Sequence, residues 1–116
     1  MKPLVAVTRK IPEAGLSLFR DKFELKVGSK NRVLKPAELL SFVRGAHAIL
    51  SLLTDKIDGK VLDAAGNNLK IVANYAVGVD NVDVAAAKKR KIFVTNTPGV
   101  LTEAVAEHAF ALLMSA

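Results

Sequence analysis

The sequence predicts an α/β chain: a doubly wound, flavodoxin-like sheet of five parallel strands in the order 2-1-3-4-5, with a trailing C-terminal helix. Three observations lead there. Short apolar runs alternate with helical patterns, as in βαβ units. The runs are nearly continuous in Val, Ile, Leu and Ala rather than alternating with polar residues, which implies a parallel sheet covered on both faces. Crossovers between parallel strands are right-handed, and this sets which face each helix covers.

Leu4 to Thr8 reads as the first buried strand, and Pro12 opens a helix carrying Leu16, Leu18 and Phe19. Phe23 to Val27 is a second strand, nearer an edge, followed by a loop from Gly28 to Leu34. Lys35-Pro36 starts a helix with Leu39, Leu40 and Val43 inside and Gly45 at its end. Ala48 to Leu52 is the third strand. A loop begins at Thr54 or Asp55, and Val61 to Ala65 is a short helix stopped by Gly66-Asn67-Asn68. Leu69 to Asn74 is the fourth strand. Asp80 is expected to cap a helix running to about Lys89, with Asp83 supporting its start. Ile92 to Asn96 is the fifth strand.

The last segment, Thr102 to Ala116, breaks the pattern. Ala104, Val105, Ala106, Ala109, Phe110, Ala111, Leu112, Leu113 and Met114 make it apolar on most sides, so as a helix it needs cover on most sides. No glycine or proline stop signal closes it. The expected organisation is a domain over 1–99, with 100–116 the first helix of a second domain.

Composition narrows the function classes. With 116 residues, 51% of them hydrophobic, the chain suits one compact domain with a real core. No apolar run reaches the ~18 residues of a membrane span. The start, Met1 to Val7, is too short in its apolar part for a secretory signal. There are no cysteines, hence neither a disulfide framework nor a thiolate nucleophile. A soluble cytoplasmic protein without a membrane partner is expected. The net charge of +6 reads as a lysine-rich solvated surface rather than a nucleic-acid interface. Its dense basic run, Lys88-Lys89-Arg90-Lys91, falls where a helix ends and cations complement the dipole, and no aromatic residues interleave with it.

In such a sheet, ligands bind at the carboxyl ends of the strands. Three loops reach that edge: Ser51 to Asp55, Asn74 to Asp80, and Asn96 to Thr102. The second says most. Gly78 would let a ligand approach the backbone closely. Amides of Val77, Gly78 and Val79 would then face an anion, for which a carboxylate is a good candidate. The other reading is that Gly78 only permits a tight turn, and spacing alone favours it. In the third loop Thr-Pro-Gly makes a turn, and Thr102 with Glu103 and Glu107 resembles a helix cap. The sequence holds no G-x-G-x-x-G, no Walker loop and no H-E-x-x-H. His47 is expected at the surface or an edge and His108 packed on the last helix. No metal site is expected without cysteines or a close acidic cluster.

The run Asn74-Tyr75-Ala76-Val77-Gly78-Val79-Asp80-Asn81-Val82-Asp83, then Ala85-Ala86, Lys89-Arg90 and Ile92 through Thr102, resembles the D-isomer-specific 2-hydroxyacid dehydrogenases. The glyoxylate and hydroxypyruvate reductase branch is the nearest, and Val7 to Pro12 and Val105 to Leu113 look like it too. The resemblance implies a flavodoxin-like substrate domain that closes on a Rossmann domain. It implies that backbone amides of Ala76, Val77 and Gly78 hold the carboxylate of a small 2-keto or 2-hydroxy acid. Leu52 and Leu53 line the facing wall, and Val77 and Thr102 lie against the nicotinamide. NAD or NADP is bound in the full-length family by a later glycine-rich loop, and the catalytic Arg, Glu and His come later still. This chain therefore carries none of the catalytic residues. It is expected to bind no cofactor alone and to be inactive alone, since hydride transfer needs cofactor, substrate and an acid-base held together.

Two rival classes remain to be weighed. A non-enzymatic module binding small carboxylates or a partner would use the same cradle, and self-association through 102–116 is expected where no second domain covers that segment. A receiver domain shares the strand order but needs an acidic pair after the first strand, where this chain has Thr8, Arg9 and Lys10.

Overall fold

The computed structural model describes residues 3–8, 23–28, 34–52, 54–75 and 78–96. The strands are β1 (Leu4–Val7), β2 (Glu24–Val27), β3 (Ala48–Leu52), β4 (Ile71–Tyr75) and β5 (Phe93–Thr95). They form one parallel sheet in the order β2-β1-β3-β4-β5, the flavodoxin-like order the sequence predicts. Between them run α1 (Pro36–Phe42), α2 (Gly59–Ala65) and α3 (Val84–Lys89).

Side-chain alternation divides the sheet into two faces. Ala6, Ile49 and Val72 share one face and pack with Leu39, Val43, Val61, Leu62, Ala65 and Ala87 from and around the three helices. Val5, Val7, Ala48, Leu50, Ile71 and Ala73 share the other face and are also buried, so the central strands are apolar on both sides. β2 stands at one edge, and its residues alternate between exposed and half-buried. The helix expected from Pro12 and the segment Thr102 to Ala116 lie outside the described residues.

Local chemistry sets the element ends. Pro36 begins α1, and the Glu38 carboxylate accepts the Lys35 amide at 2.9 Å. α2 starts at Gly59, two residues before the expected Val61, because the Asp58 side chain accepts the Val61 amide at 3.2 Å. The start of α3 also differs from expectation. Asp83 rather than Asp80 is its cap, accepting the Ala86 amide at 3.0 Å. Asp80 is held back in a turn, because Ile57 pairs with Val82 and its backbone bonds both Asn81 and Asp83 at 2.8 Å. α3 ends in a Schellman motif: Ile92 donates to the Ala87 carbonyl and Lys91 to that of Lys88. The basic run closes this helix, with Lys88 and Lys89 in its last turn.

His47, expected at a surface or edge, is half-buried and works as a staple at the amino ends of the strands. Its Nδ1 accepts the Leu4 amide at 3.0 Å, and its own amide donates to the Leu4 carbonyl at 2.8 Å. The fourth strand starts at Ile71 rather than Leu69, since the Lys70 amide goes to the His47 carbonyl.

Candidate functional site

Thr8, Ser51 and Asn74 form a polar row at the carboxyl ends of β1, β3 and β4. Each lies two residues beyond an apolar residue of the helix-covered face, namely Ala6, Ile49 and Val72. All three are buried. Buried polar groups require partners, and among the described residues no buried side-chain nitrogen or oxygen lacks one. Two loops supply the partners. The Thr8 hydroxyl donates to Asp55 Oδ2, which also accepts the Leu52 amide at 2.9 Å. The Ser51 hydroxyl donates to Asn74 Oδ1 at 2.8 Å. Asn74 Nδ2 donates to the Gly78 carbonyl at 3.0 Å, and Asn81 Nδ2 to the carbonyls of Leu52 and Asp55 at 3.0 and 2.7 Å.

Of the residues the sequence nominates, Leu52 and Gly78 are described. Leu52 is half-buried at the end of β3, Gly78 is exposed beyond β4, and the Asn74–Asn81 network ties the two loops together. Leu53, Ala76, Val77 and Thr102 lie outside the described residues. Sequence reasoning missed Asp55 and Asn81. It also passed over Thr8, Ser51 and Asn74 as polar network members, although a polar residue interrupting the apolar runs of β3 and β4 was a signal.

Gly78 differs from the other turn glycines. Gly45 and Gly66 have φ of 78° and 97°, where a side chain is strained. Gly78 has no positive φ, and among the described residues a Cβ there would meet nothing within 4 Å. A positive φ is therefore not what glycine supplies at this position. Gly78 is exposed at the carboxyl edge of the sheet, with open space around it among the described residues.

Charge elsewhere is distributed as surface chemistry. Arg90 forms a forked ion pair with Asp63, at 2.8 and 3.1 Å, far from the carboxyl edge. Its hydrogen bonds hold the Asp63 carboxyl below the usual range and push the Arg90 guanidinium up. A cavity of about 320 Å³ opens beside the β3 loop, between Leu39, Leu40, Thr54 and Lys56. Among the described residues no three His, Cys, Asp or Glu side chains gather as a metal site. No helix among them is long and apolar enough to cross a membrane.

A doubly wound parallel sheet in this order defines a flavodoxin-like domain of the α/β class, whose sheets bind ligands, where they bind any, at the carboxyl edge. The comparisons with known proteins narrow this. Residues 5–113 match the model of the D-isomer specific 2-hydroxyacid dehydrogenase catalytic domain, and the chain belongs to that family. A glyoxylate reductase of Korarchaeum cryptofilum is 53% identical over the whole chain, which spans 35% of that relative's length. A Thermus thermophilus protein of known structure is 45% identical with a TM-score of 0.78, over 97% of this chain and 36% of that one. An NADPH-dependent glyoxylate/hydroxypyruvate reductase of Sinorhizobium meliloti, crystallised with NADP and malonate, is 34% identical with a TM-score of 0.62, over 99% of this chain and 34% of that one. The match is to the family's catalytic domain, and the chain spans about a third of the length of these relatives.

Proposed function

We propose that the chain is the substrate-holding part of an NAD(P)-dependent enzyme that reduces glyoxylate, hydroxypyruvate or a similar small 2-keto acid to the D-2-hydroxy acid. The loop Ala76-Val77-Gly78 cradles the carboxylate through backbone amides, Leu52 and Leu53 form the facing wall, and Val77 and Thr102 lie against the nicotinamide. Residues 1–99 are the substrate domain and 100–116 lead into the next. The observation that carries this reading is Gly78: among the described residues nothing crowds a side chain there and no positive φ calls for glycine, whereas a ligand seated on the backbone does. The similarity to glyoxylate reductases supports the substrate class.

The described residues do not fit a dinucleotide pyrophosphate. β1 runs into Thr8, whose hydroxyl is committed to Asp55, in place of a glycine-rich turn. The cofactor belongs to a part of the enzyme beyond these residues, and this chain's own contribution is to hold and orient the acid.

The test is a titration of the chain with sodium glyoxylate, followed by amide chemical shifts. Backbone hydrogen bonds net only about 1 kcal/mol each in water, so millimolar binding centred on Gly78 is expected. Gly78→Val should abolish it while leaving the remaining spectrum in place. No response at Gly78, or undiminished binding by Gly78→Val, would overturn the reading. The chain alone should reduce neither glyoxylate nor hydroxypyruvate with either nicotinamide cofactor.

A further inference from the structure

We infer that Asn74 and Asn81 are positioning residues for this cradle: their paired carboxamides aim the Val79 amide toward the ligand and hold the two cleft loops as one body. The inference rests on the reading of the Gly78 loop given above. The two side chains bond head to tail, Asn74 Nδ2 to Asn81 Oδ1 at 2.8 Å and Asn81 Nδ2 to Asn74 Oδ1 at 3.1 Å. Each nitrogen has a second N–H. That of Asn74 takes the Gly78 carbonyl from the β4 loop, and that of Asn81 takes the Leu52 and Asp55 carbonyls from the β3 loop. Backbone carbonyls only accept, and the Ser51 hydroxyl donates to Asn74 Oδ1, so the orientation of both amides is determined.

The Gly78–Val79 peptide is the consequence. In a trans peptide the C=O and the next N–H point in opposite directions. With the Gly78 carbonyl drawn inward to buried Asn74, the Val79 N–H points away from Asn74. Among the described residues no acceptor takes the Val79 amide. It is a donor held in place before any ligand arrives, next to an exposed glycine, and an anion meets it without reorganising the loop. Asn81 extends the effect to the opposite wall. Leu52 and Gly78 are referenced to one pair of side chains, so the spacing of their loops is set by the pair.

The experiment follows the Val79 amide proton in the same chain during titration with sodium glyoxylate. Wild type is compared with Asn81→Ala, Asn81→Ser and, as a stability control, Asp63→Ala. The Val79 resonance of wild type should move downfield with glyoxylate. Asn81→Ala should weaken binding about fivefold or more, the equivalent of one hydrogen bond, and broaden the Gly78 and Val79 signals, and Asn81→Ser should shift in the same direction. Asp63→Ala should lower Tm without changing the glyoxylate Kd. An Asn81 variant that stays folded and binds as tightly as wild type overturns the inference and leaves the cradle standing. So does a wild type in which Gly78 responds to glyoxylate and Val79 does not. A wild type with no response at either residue overturns the cradle and the inference together.

Discussion

Asp55 receives the Thr8 hydroxyl across 47 residues of sequence, and both side chains are buried. The same carboxylate oxygen holds the Leu52 amide, so one acidic side chain joins the end of β1 to the loop after β3. Replacing Asp55 with Ala would remove the acceptor of one buried and one part-buried donor, each loss costing about 1–3 kcal/mol. A loss of roughly 3 kcal/mol is expected from urea unfolding at pH 7. Thr8→Val, which keeps the shape and removes one donor, should cost about half of that. Equal losses for the two variants would mean that the Leu52 bond contributes nothing.

Lys91 ends α3 with φ of 59°, a left-handed conformation that costs a side-chain-bearing residue about 1 kcal/mol. Gly66 ends α2 with φ of 97° and ψ of −172°, a region open almost only to glycine. Opposite changes follow. Lys91→Gly should stabilise the chain by about 0.5–1 kcal/mol, and Gly66→Ala should destabilise it by about 1–3 kcal/mol. Thermal melts of the two variants beside wild type check both signs.

The Asp63–Arg90 pair makes stability depend on acid. Hydrogen bonds from Arg90 lower the folded-state value of Asp63 below its unfolded value, so the contribution is complete above the unfolded value of about 3.9. It is lost as pH falls through the folded value. The Tm difference between wild type and Asp63→Asn should be positive and flat from neutrality to about pH 5, then shrink toward zero in stronger acid. The pair is partly exposed, so added salt should reduce the difference at neutral pH. A difference that grows on acidification would contradict the assignment.

The sheet is legible in the sequence because a parallel strand covered on both faces has to be apolar at successive positions. Ala48 to Leu52 is expected as a strand and is β3 residue for residue. Helix starts are less legible. Asp80 and Asp83 are both capping residues with comparable local sequence, and the choice between them is made by the contact of Ile57 with Val82, across a stretch of chain that local pattern does not see. The candidate site shows the same division. Gly78 stands out by its place after a strand. Asn81 does not, because the carbonyls it binds lie 26 and 29 residues earlier, and an asparagine before a helix reads as an ordinary turn residue.

The staple between Leu4 and His47 has a consequence in time. β1 pairs with β2 on one side, but its other side and its amino end wait for a histidine made 43 residues later. At about 5–20 residues per second, a ribosome takes roughly 2–9 s to cover that distance. During that interval the future centre of the sheet is an unpaired strand border, and only the synthesis of β3 closes it.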